Sequence, residues 1–411
     1  MPTVAVKPND RDSRGSRVSN QLKVVLLGGL SNGKTTLLNA LQGQAYPLTK
    51  VDARTIHLDI VKVTIPRTGE ASDLILLVYD CGGWDGYAVG QIPFLSGSAL
   101  YLLAVEANET DPQKFLRLLV LFQARAPNAV VQIVLTKTDL VPNPEEKAKW
   151  VLNAVNKHND KWRKHGKGET KPLRIQPDVI MTSVMDDQEG TREKMIAGIL
   201  NVLHLTPTVG QVVPNTWAVV WALATALQMY GTGHKDTLFD AVQLEAENKL
   251  AGVPSAKVSN GDGIAYCRIS EFQGLFEDYC AYKTSKDANA IVSPLVLNDA
   301  LHLYEAQGDI YISGDLIFLN PTLIADLMKA LMDHTLTTKR LKSQEFRSVM
   351  VEYIEGAEIS FKKLKQDMES FVTSGELHGP YILPFLLRNV KRLKMLSPPL
   401  RKFLTINSLL V

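Results

Sequence analysis

The 411 residues predict an α/β domain with a mostly parallel sheet, followed by a mainly helical region containing a winged-helix-like unit. Three observations carry this. The first half alternates short apolar runs with helical periodicity. That alternation stops near residue 206, in TPTVGQVVPN, where two prolines and a glycine fall within ten residues. Beyond it, helical patterns lead to a hairpin-like DIYISGDLIFLN.

Taken in order, residues 1–20 are rich in Arg, Asp, Ser and Pro, lack the apolar core of a signal peptide, and read as a disordered lead-in. From Leu22, LKVVLLG precedes GKTTLLNALQ, ALYLLAVEA precedes DPQKFLRLLVLFQARAP, and VQIVLTKTD precedes EEKAKWVLNAVNKHNDKW. DVIMTS then precedes REKMIAGILNVL. Apolar strands separated by helices are the pattern of a sheet covered on both faces. HLDIVKVTI and DLILLVYD are joined only by PRTGEAS, too short for a crossover helix, which predicts an antiparallel hairpin at an edge. After the boundary come WAVVWALATALQ, SEFQGLFEDYC, LVLNDALHLYEAQ, the hairpin, and TLIADLMKALMDH. The polar, glycine-bearing span from Gly231 to Gly263 reads as loops. The expected division is 1–20 disordered, 21–205 the α/β domain, and 206–411 the helical domain.

Composition is ordinary for globular domains, 45% hydrophobic and 21% charged, with a net charge of +2 that offers no global field for nucleic acid or membrane. The helix LVLNDALHLYEAQ, the natural recognition helix of a winged unit, carries Asp299 and Glu305 and no lysine or arginine, so nucleic acid is not an expected partner. Cys81, Cys267 and Cys280 are too few and scattered for a disulfide framework, which points to a reducing, cytoplasmic setting. The longest apolar run, from Trp217, falls short of the roughly 20 residues that span a bilayer. Basic stretches at 161–171 and 388–395 could meet acidic headgroups but read first as solvated faces.

The chemistry lies in short motifs. Gly28-Gly29-Leu30-Ser31-Asn32-Gly33-Lys34-Thr35 fits G-x-x-x-x-G-K-[ST] between a strand and a helix. Its glycines let backbone N–H groups curl around phosphate oxygens at a helix N-terminus, with Ser31, Asn32 and Thr36 completing the cradle. Lys34 would reach the β and γ phosphates and Thr35 would ligate Mg²⁺. Asp80, at the end of LILLVYD and 46 residues beyond Lys34, would face the metal through water, and Gly83 would offer its N–H to the γ phosphate. Thr136-Lys137-Thr138-Asp139 supplies a carboxylate for N1–H and the exocyclic amine of guanine, two donors that adenine does not present together. The Lys137 stem would pack over the ring, and Thr182-Ser183 stands where a small loop would touch the guanine oxygen. These readings favour GTP or GDP over ATP. Thr55 is the candidate switch threonine and a third metal ligand, with Thr49 as its rival. Arg54 beside it is either a solvated loop arginine or an internal arginine finger.

On these motifs, the segment from Lys23 to about Leu205 resembles the Roc domain, a Ras-like P-loop GTPase, with YDCGGWDGY and PFLSGSALYLLAVEA its most similar stretches. VPNTW and LHLYEAQGDIYISGDLIFLNPTLIADLMKAL resemble the first half of a COR domain. The chain thus resembles the Roc-COR tandem of Roco proteins over about nine tenths of its length. Because it stops at Val411, near where a second COR half would begin, the resemblance implies a fragment of a longer protein.

Three residues depart from the family pattern: Trp84 after Gly83, His57 where a glycine is common, and Thr136 in place of asparagine. An indole has one donor and no acceptor and cannot align an attacking water as an amide does. The expectation is therefore a guanine-nucleotide switch with slow GTP hydrolysis whose state is relayed from Roc to COR. Its expected partners are proteins, or a second copy bound through COR. The alternative is a scaffold in which nucleotide is structural and never turned over.

Overall fold

The computed structural model describes residues 15–44, 55, 57–67, 72–83, 91–165, 171–251, 263–286, 294–322 and 324–325. They form two compact units, one built on residues 22–65 and 75–206, the other on residues up to 21, the 66–74 connection and 207–320. The chain passes from the first unit into the second at residues 206–207.

The first described element is β1 (Ser16–Val18), which belongs to the second unit; β2 (Gln21–Leu27), a central strand of the first, follows. The first unit adds β3 (Leu58–Ile65), β4 (Leu74–Cys81), β5 (Leu100–Glu106), β6 (Val130–Thr136), β7 (Arg174–Ile175) and β8 (Ile180–Met181). Their order is β3-β4-β2-β5-β6-β7, with β8 also on β6. β2, β5, β6 and both short edge strands pair in parallel. Every residue of β2 and β6 is buried, the continuous apolar run that a doubly covered strand requires. β3, at the edge of the sheet, lies beside β4.

Four helices of this unit follow the predicted positions: α1 (Lys34–Leu41), α2 (Gln113–Arg125), α3 (Pro144–His165) and α4 (Gln188–Val202). α2 buries Phe115, Leu119 and Phe122, and α4 buries Thr191, Met195, Ile199 and Val202, each a stripe at intervals of three and four. Because the central strands are parallel, the turns after β2, β6 and β8 open at one edge of the sheet.

The second unit corrects two expectations. Residues 16–18, read as part of a disordered lead-in, form β1 and pair antiparallel with β9 (Val212–Pro214), with Val18 opposite Val212. The polar side chains that suggested disorder have partners: Arg17 Nη2 donates to Tyr304 Oη at 3.2 Å, and Ser19 Oγ accepts from Gln307 Nε2 at 2.6 Å. Residues 1–14 lie outside the described residues. The span read as loops holds a helix: after α5 (Ala218–Tyr230) comes α6 (Lys235–Ala251), which buries Leu238, Phe239, Val242 and Ala246. Those positions have helical spacing, which the flanking glycines and high polarity masked.

The unit is completed by β10 (Tyr266–Arg268), α7 (Ile269–Lys286), α8 (Leu297–Gln307), β11 (Tyr311–Ser313) and β12 (Leu316–Phe318). The last two form the expected wing, turning at Gly314 with φ +59, and β10 adds a third strand in the order β10-β12-β11. α5 is the predicted buried helix, and its Leu223 and Leu227 pack with Leu238, Phe272, Phe276, Leu301 and Ile317. Among the described residues no helix is long and apolar enough to cross a membrane. The TLIADLMKALMDH helix beyond Ala325 and the 388–395 basic stretch lie outside the described residues.

Tyr304 is the hinge pin of the N-terminal strand, since its hydroxyl donates to Trp217 O at 2.9 Å while accepting from Arg17. Tyr304→Phe leaves a buried carbonyl and a guanidinium short of a partner and is expected to cost about 1–3 kcal/mol. Chemical denaturation of the second unit's transition measures this, and an unchanged midpoint would remove Tyr304 from that role.

Candidate functional site

β2 delivers the chain to Gly28, where a Cβ would fall 2.5 Å from Ala104 O on β5, so only glycine lets the loop pass this close. Ser31 and Gly33 both take positive φ, +63 and +77, which coils the loop before Gly33 caps α1. Asn32 Nδ2 anchors the turn by donating to Ala104 O at 2.9 Å. Lys34, the first residue of α1, folds back over the loop and donates from Nζ to Gly28 O at 2.9 Å and Gly29 O at 2.8 Å. Thr36 lies half-buried in the same first turn. The Ser31 side chain is exposed.

Three oxygens from three elements meet beside this loop. Thr35 Oγ1 donates to Asp80 Oδ2 at 2.6 Å, Thr55 Oγ1 donates to the same oxygen at 3.0 Å, and the two hydroxyls are 2.8 Å apart. The other carboxylate oxygen, Oδ1, is buried without a hydrogen-bond partner among the described residues. Burial pushes the Asp80 carboxyl above the usual range against the pull of Thr35 and Lys34, and burial also lowers the Lys34 ammonium, which Asp80 partly offsets. A buried cation and carboxylate, each strained toward neutrality, suit a place where an anion and a hard cation supply the missing charge. The oxygen spacings suit it too. Cis ligands around an octahedral cation with bonds of 2.0–2.1 Å lie about 2.9 Å apart. Cys81, next along β4, is no nucleophile, because burial raises its thiol to about 12.

Gly83 lies against the phosphate loop, where a Cβ would stand 2.4 Å from Gly29 O and 2.7 Å from Leu30 N. His57 takes φ +63, the left-handed conformation that explains why a glycine would serve there. Its ring is fully buried, edge-on to Phe94 at 6.1 Å between centroids. Arg54, Thr49 and Trp84 lie outside the described residues.

The second cluster forms at the ends of β6 and β8. Thr136 Oγ1 donates to Asn32 O at 3.0 Å and so ties this loop to the phosphate loop. Lys137, at φ +55, sends its ammonium to Glu106 Oε1 at 3.0 Å. Asp139 is exposed, and its Oδ1 accepts from Ser183 Oγ at 2.7 Å, while Thr138 N donates to Thr182 O at 3.1 Å. An oriented carboxylate therefore faces solvent between two linked loops, able to accept from paired N–H donors of a planar ligand.

Sequence reasoning missed Glu106, Asp186, which also accepts from Ser183 at 3.0 Å, and Gln91. Glu106 ends a strand beside a loop-bearing neighbour, a position that could have flagged it; the others carried no motif. Among the described residues no group of three His, Cys, Asp or Glu side chains could hold a metal, so any cation here relies on hydroxyls and Asp80. A cavity of about 500 Å³ lined by Gln132, Asp178, Lys194 and Asn201 includes none of the predicted site residues.

Residues 23–139 match the family described as Roc, Ras of Complex, domain of DAPkinase. The human protein Malignant fibrous histiocytoma-amplified sequence 1 is 29% identical over 157 residues, 34% of this chain and 14% of that protein. Its Mus musculus homolog is 31% identical over 158 residues, 34% of this chain and 15% of that protein. The match thus spans about one seventh of these relatives' length. The solved structure of Methanosarcina barkeri Roco2 RocCORdC bound to GDP shares the fold at a TM-score of 0.52 and 15% identity, covering 96% of this chain and 93% of that one. Residues 23–139 thus match the Roc family model, and the chain as a whole shares the fold of that solved structure, with a mostly parallel α/β sheet in its first unit.

The close approach of Gly83 to Gly29 has a direct test. Gly83→Ala sets a methyl against backbone and is expected to destabilise the first unit by about 1–3 kcal/mol. A thermal midpoint equal to wild type would show that the two glycines are not in contact.

Proposed function

We propose that this chain is a guanine-nucleotide-binding switch that hydrolyses GTP slowly and passes its nucleotide state from Roc to COR. The observation that carries the proposal is the convergence of Thr35, Thr55 and Asp80 on one oxygen cluster beside Lys34, with Asp139 oriented by Ser183 on a loop tied to the same phosphate cradle. The GDP carried by the Methanosarcina barkeri protein of the same fold supports it.

Thr35, Thr55 and Asp80 would hold Mg²⁺, which supplies charge to the β and γ phosphates when bound. Lys34 and the backbone of residues 28–36 would bind the phosphate oxygens, and the Gly83 N–H would meet the γ phosphate. In hydrolysis, water adds to the γ phosphorus as its bond to the β–γ bridging oxygen breaks, giving GDP and phosphate. Lys34 holds the ammonium against the charge that develops there. Asp139 selects guanine, the Lys137 stem covers the ring, and Ser183 fixes the carboxylate.

Turnover is slow because Trp84, directly after Gly83, has no acceptor to align water. Arg54 or a residue of a protein partner could add the charge stabilisation that the indole lacks. Covalent routes to COR include β2, which ends at the phosphate loop and begins at the β1 segment of the second unit, the 66–74 connection between β3 and β4, and the passage after α4 into that unit at 206–207. A cytoplasmic setting and protein partners bound through COR, including a second copy, complete the proposal. The alternative is a scaffold that keeps its nucleotide intact.

Asp139→Asn is expected to lower GDP affinity about 100-fold or more and to erase the preference over ADP, because one guanine donor then faces an amide N–H. Competition binding reads this, and preserved guanine preference would unseat Asp139. Phosphate release under single-turnover conditions separates switch from scaffold: release over minutes to hours, accelerated in Trp84→Gln, is expected. Intact GTP after that time in both proteins would establish the scaffold.

A further inference from the structure

Gln91 is buried, about 7% exposed, and stands at the start of the short Ile92–Phe94 turn, apart from every motif discussed above. Its Nε2 donates twice, to His57 O at 2.8 Å and to Gly82 O at 3.0 Å. Between the same two residues runs a backbone bond, Gly82 N to His57 O at 2.8 Å. One amide thus bridges the residue that follows the Thr55 loop and the residue that precedes Gly83. Those are the two segments that bring Thr55 to Asp80 and Gly83 to the phosphate loop.

We infer that Gln91 is a positioning residue: its carboxamide ties His57, two residues after Thr55, to Gly82, next to Gly83, so that Thr55 and Gly83 are held together as one unit at the proposed γ-phosphate position. The inference deepens the proposed switch function and rests on it for its nucleotide consequence, but the latch is a property of the ligand-free chain. Three bonds converge on the carbonyls and N–H of residues 57 and 82, and two of them come from one side-chain nitrogen. A donor is required there because both acceptors are carbonyl oxygens inside the fold, where an unmatched carbonyl is costly. His57 adds to the constraint. Its left-handed φ turns the chain at the latched residue, and its buried ring against Phe94 fixes that turn to the segment that begins at Gln91. When the latch is made, Thr55 and Gly83 cannot open independently. The distinction between GTP and GDP, to which Thr55 and Gly83 would both respond, then becomes cooperative.

The test uses the full chain and two variants of similar volume. Gln91→Leu removes both donors, and Gln91→Glu places an acceptor against two carbonyls. The first readout is amide hydrogen exchange of the ligand-free protein at Gly82 and neighbouring residues, with thermal unfolding as a control. Exchange at Gly82 is expected to rise about tenfold in Leu and further in Glu. The second readout is the ratio of affinities for a non-hydrolysable GTP analogue and GDP with magnesium, expected to fall about tenfold in Leu with GDP binding within twofold of wild type. Unchanged Gly82 exchange in both folded variants overturns the latch. So does faster exchange with an unchanged affinity ratio, which would make Gln91 a packing residue only. If the wild type takes up no guanine nucleotide, the function proposed above fails, and the exchange measurement alone decides the latch.

Discussion

A single carboxylate oxygen, Asp80 Oδ2, accepts hydroxyl hydrogens from Thr35 and Thr55, which belong to a helix start and to the approach of an edge strand. Asp80 is buried, and a carboxylate taken out of water must be met by donors or by positive charge. That requirement draws Thr35 and Thr55 to the end of β4, and leaves Oδ1 buried without a hydrogen-bond partner among the described residues. The start of α1 and Thr55 ahead of β3 are tied to β4 by it. The proposed Mg²⁺ and phosphate sites are its chemical consequence.

The other half of the site depends on this one through a short chain of contacts. Asn32 donates to Ala104 O and accepts from Thr136, so the cradle that Lys34 completes is pinned to the end of β6. From there the loop turns at Lys137, whose ammonium is drawn to Glu106 on the neighbouring strand, and presents Asp139 to solvent with Ser183 as its brace. A ligand that spans both clusters would need a polyphosphate at one end and a planar group with paired donors at the other. A guanine nucleotide is the molecule proposed to meet both demands.

The glycine spacing from Gly28 to Gly33, the strand-end position of Asp80 and the Thr136–Asp139 turn could be read directly, because each local chemistry constrains residue type at fixed offsets. The parallel sheet was equally legible, since doubly buried strands such as β2 and β6 must be apolar throughout. What escaped depended on partners distant in sequence. β1 looks disordered until β9 and Tyr304 supply its ladder and its hydrogen bonds, nearly 200 and 290 residues away. α6 was hidden by composition, although Leu238, Phe239, Val242 and Ala246 carry the helical interval. Gln91 and Glu106 act through side-chain bonds to residues that no sequence motif links to them.

The hydroxyl of Thr136 reaches Asn32 O, and His57 adopts the left-handed backbone conformation that glycine takes without strain. The central claim, that Asp80 and the two threonines complete a cation-dependent phosphate site with Lys34, is tested most directly by calorimetric titration of the full chain with a non-hydrolysable GTP analogue, with magnesium and with a chelator. The account predicts uptake of one equivalent that weakens at least tenfold when magnesium is removed. Absence of uptake by folded protein, or binding that ignores magnesium, would contradict it.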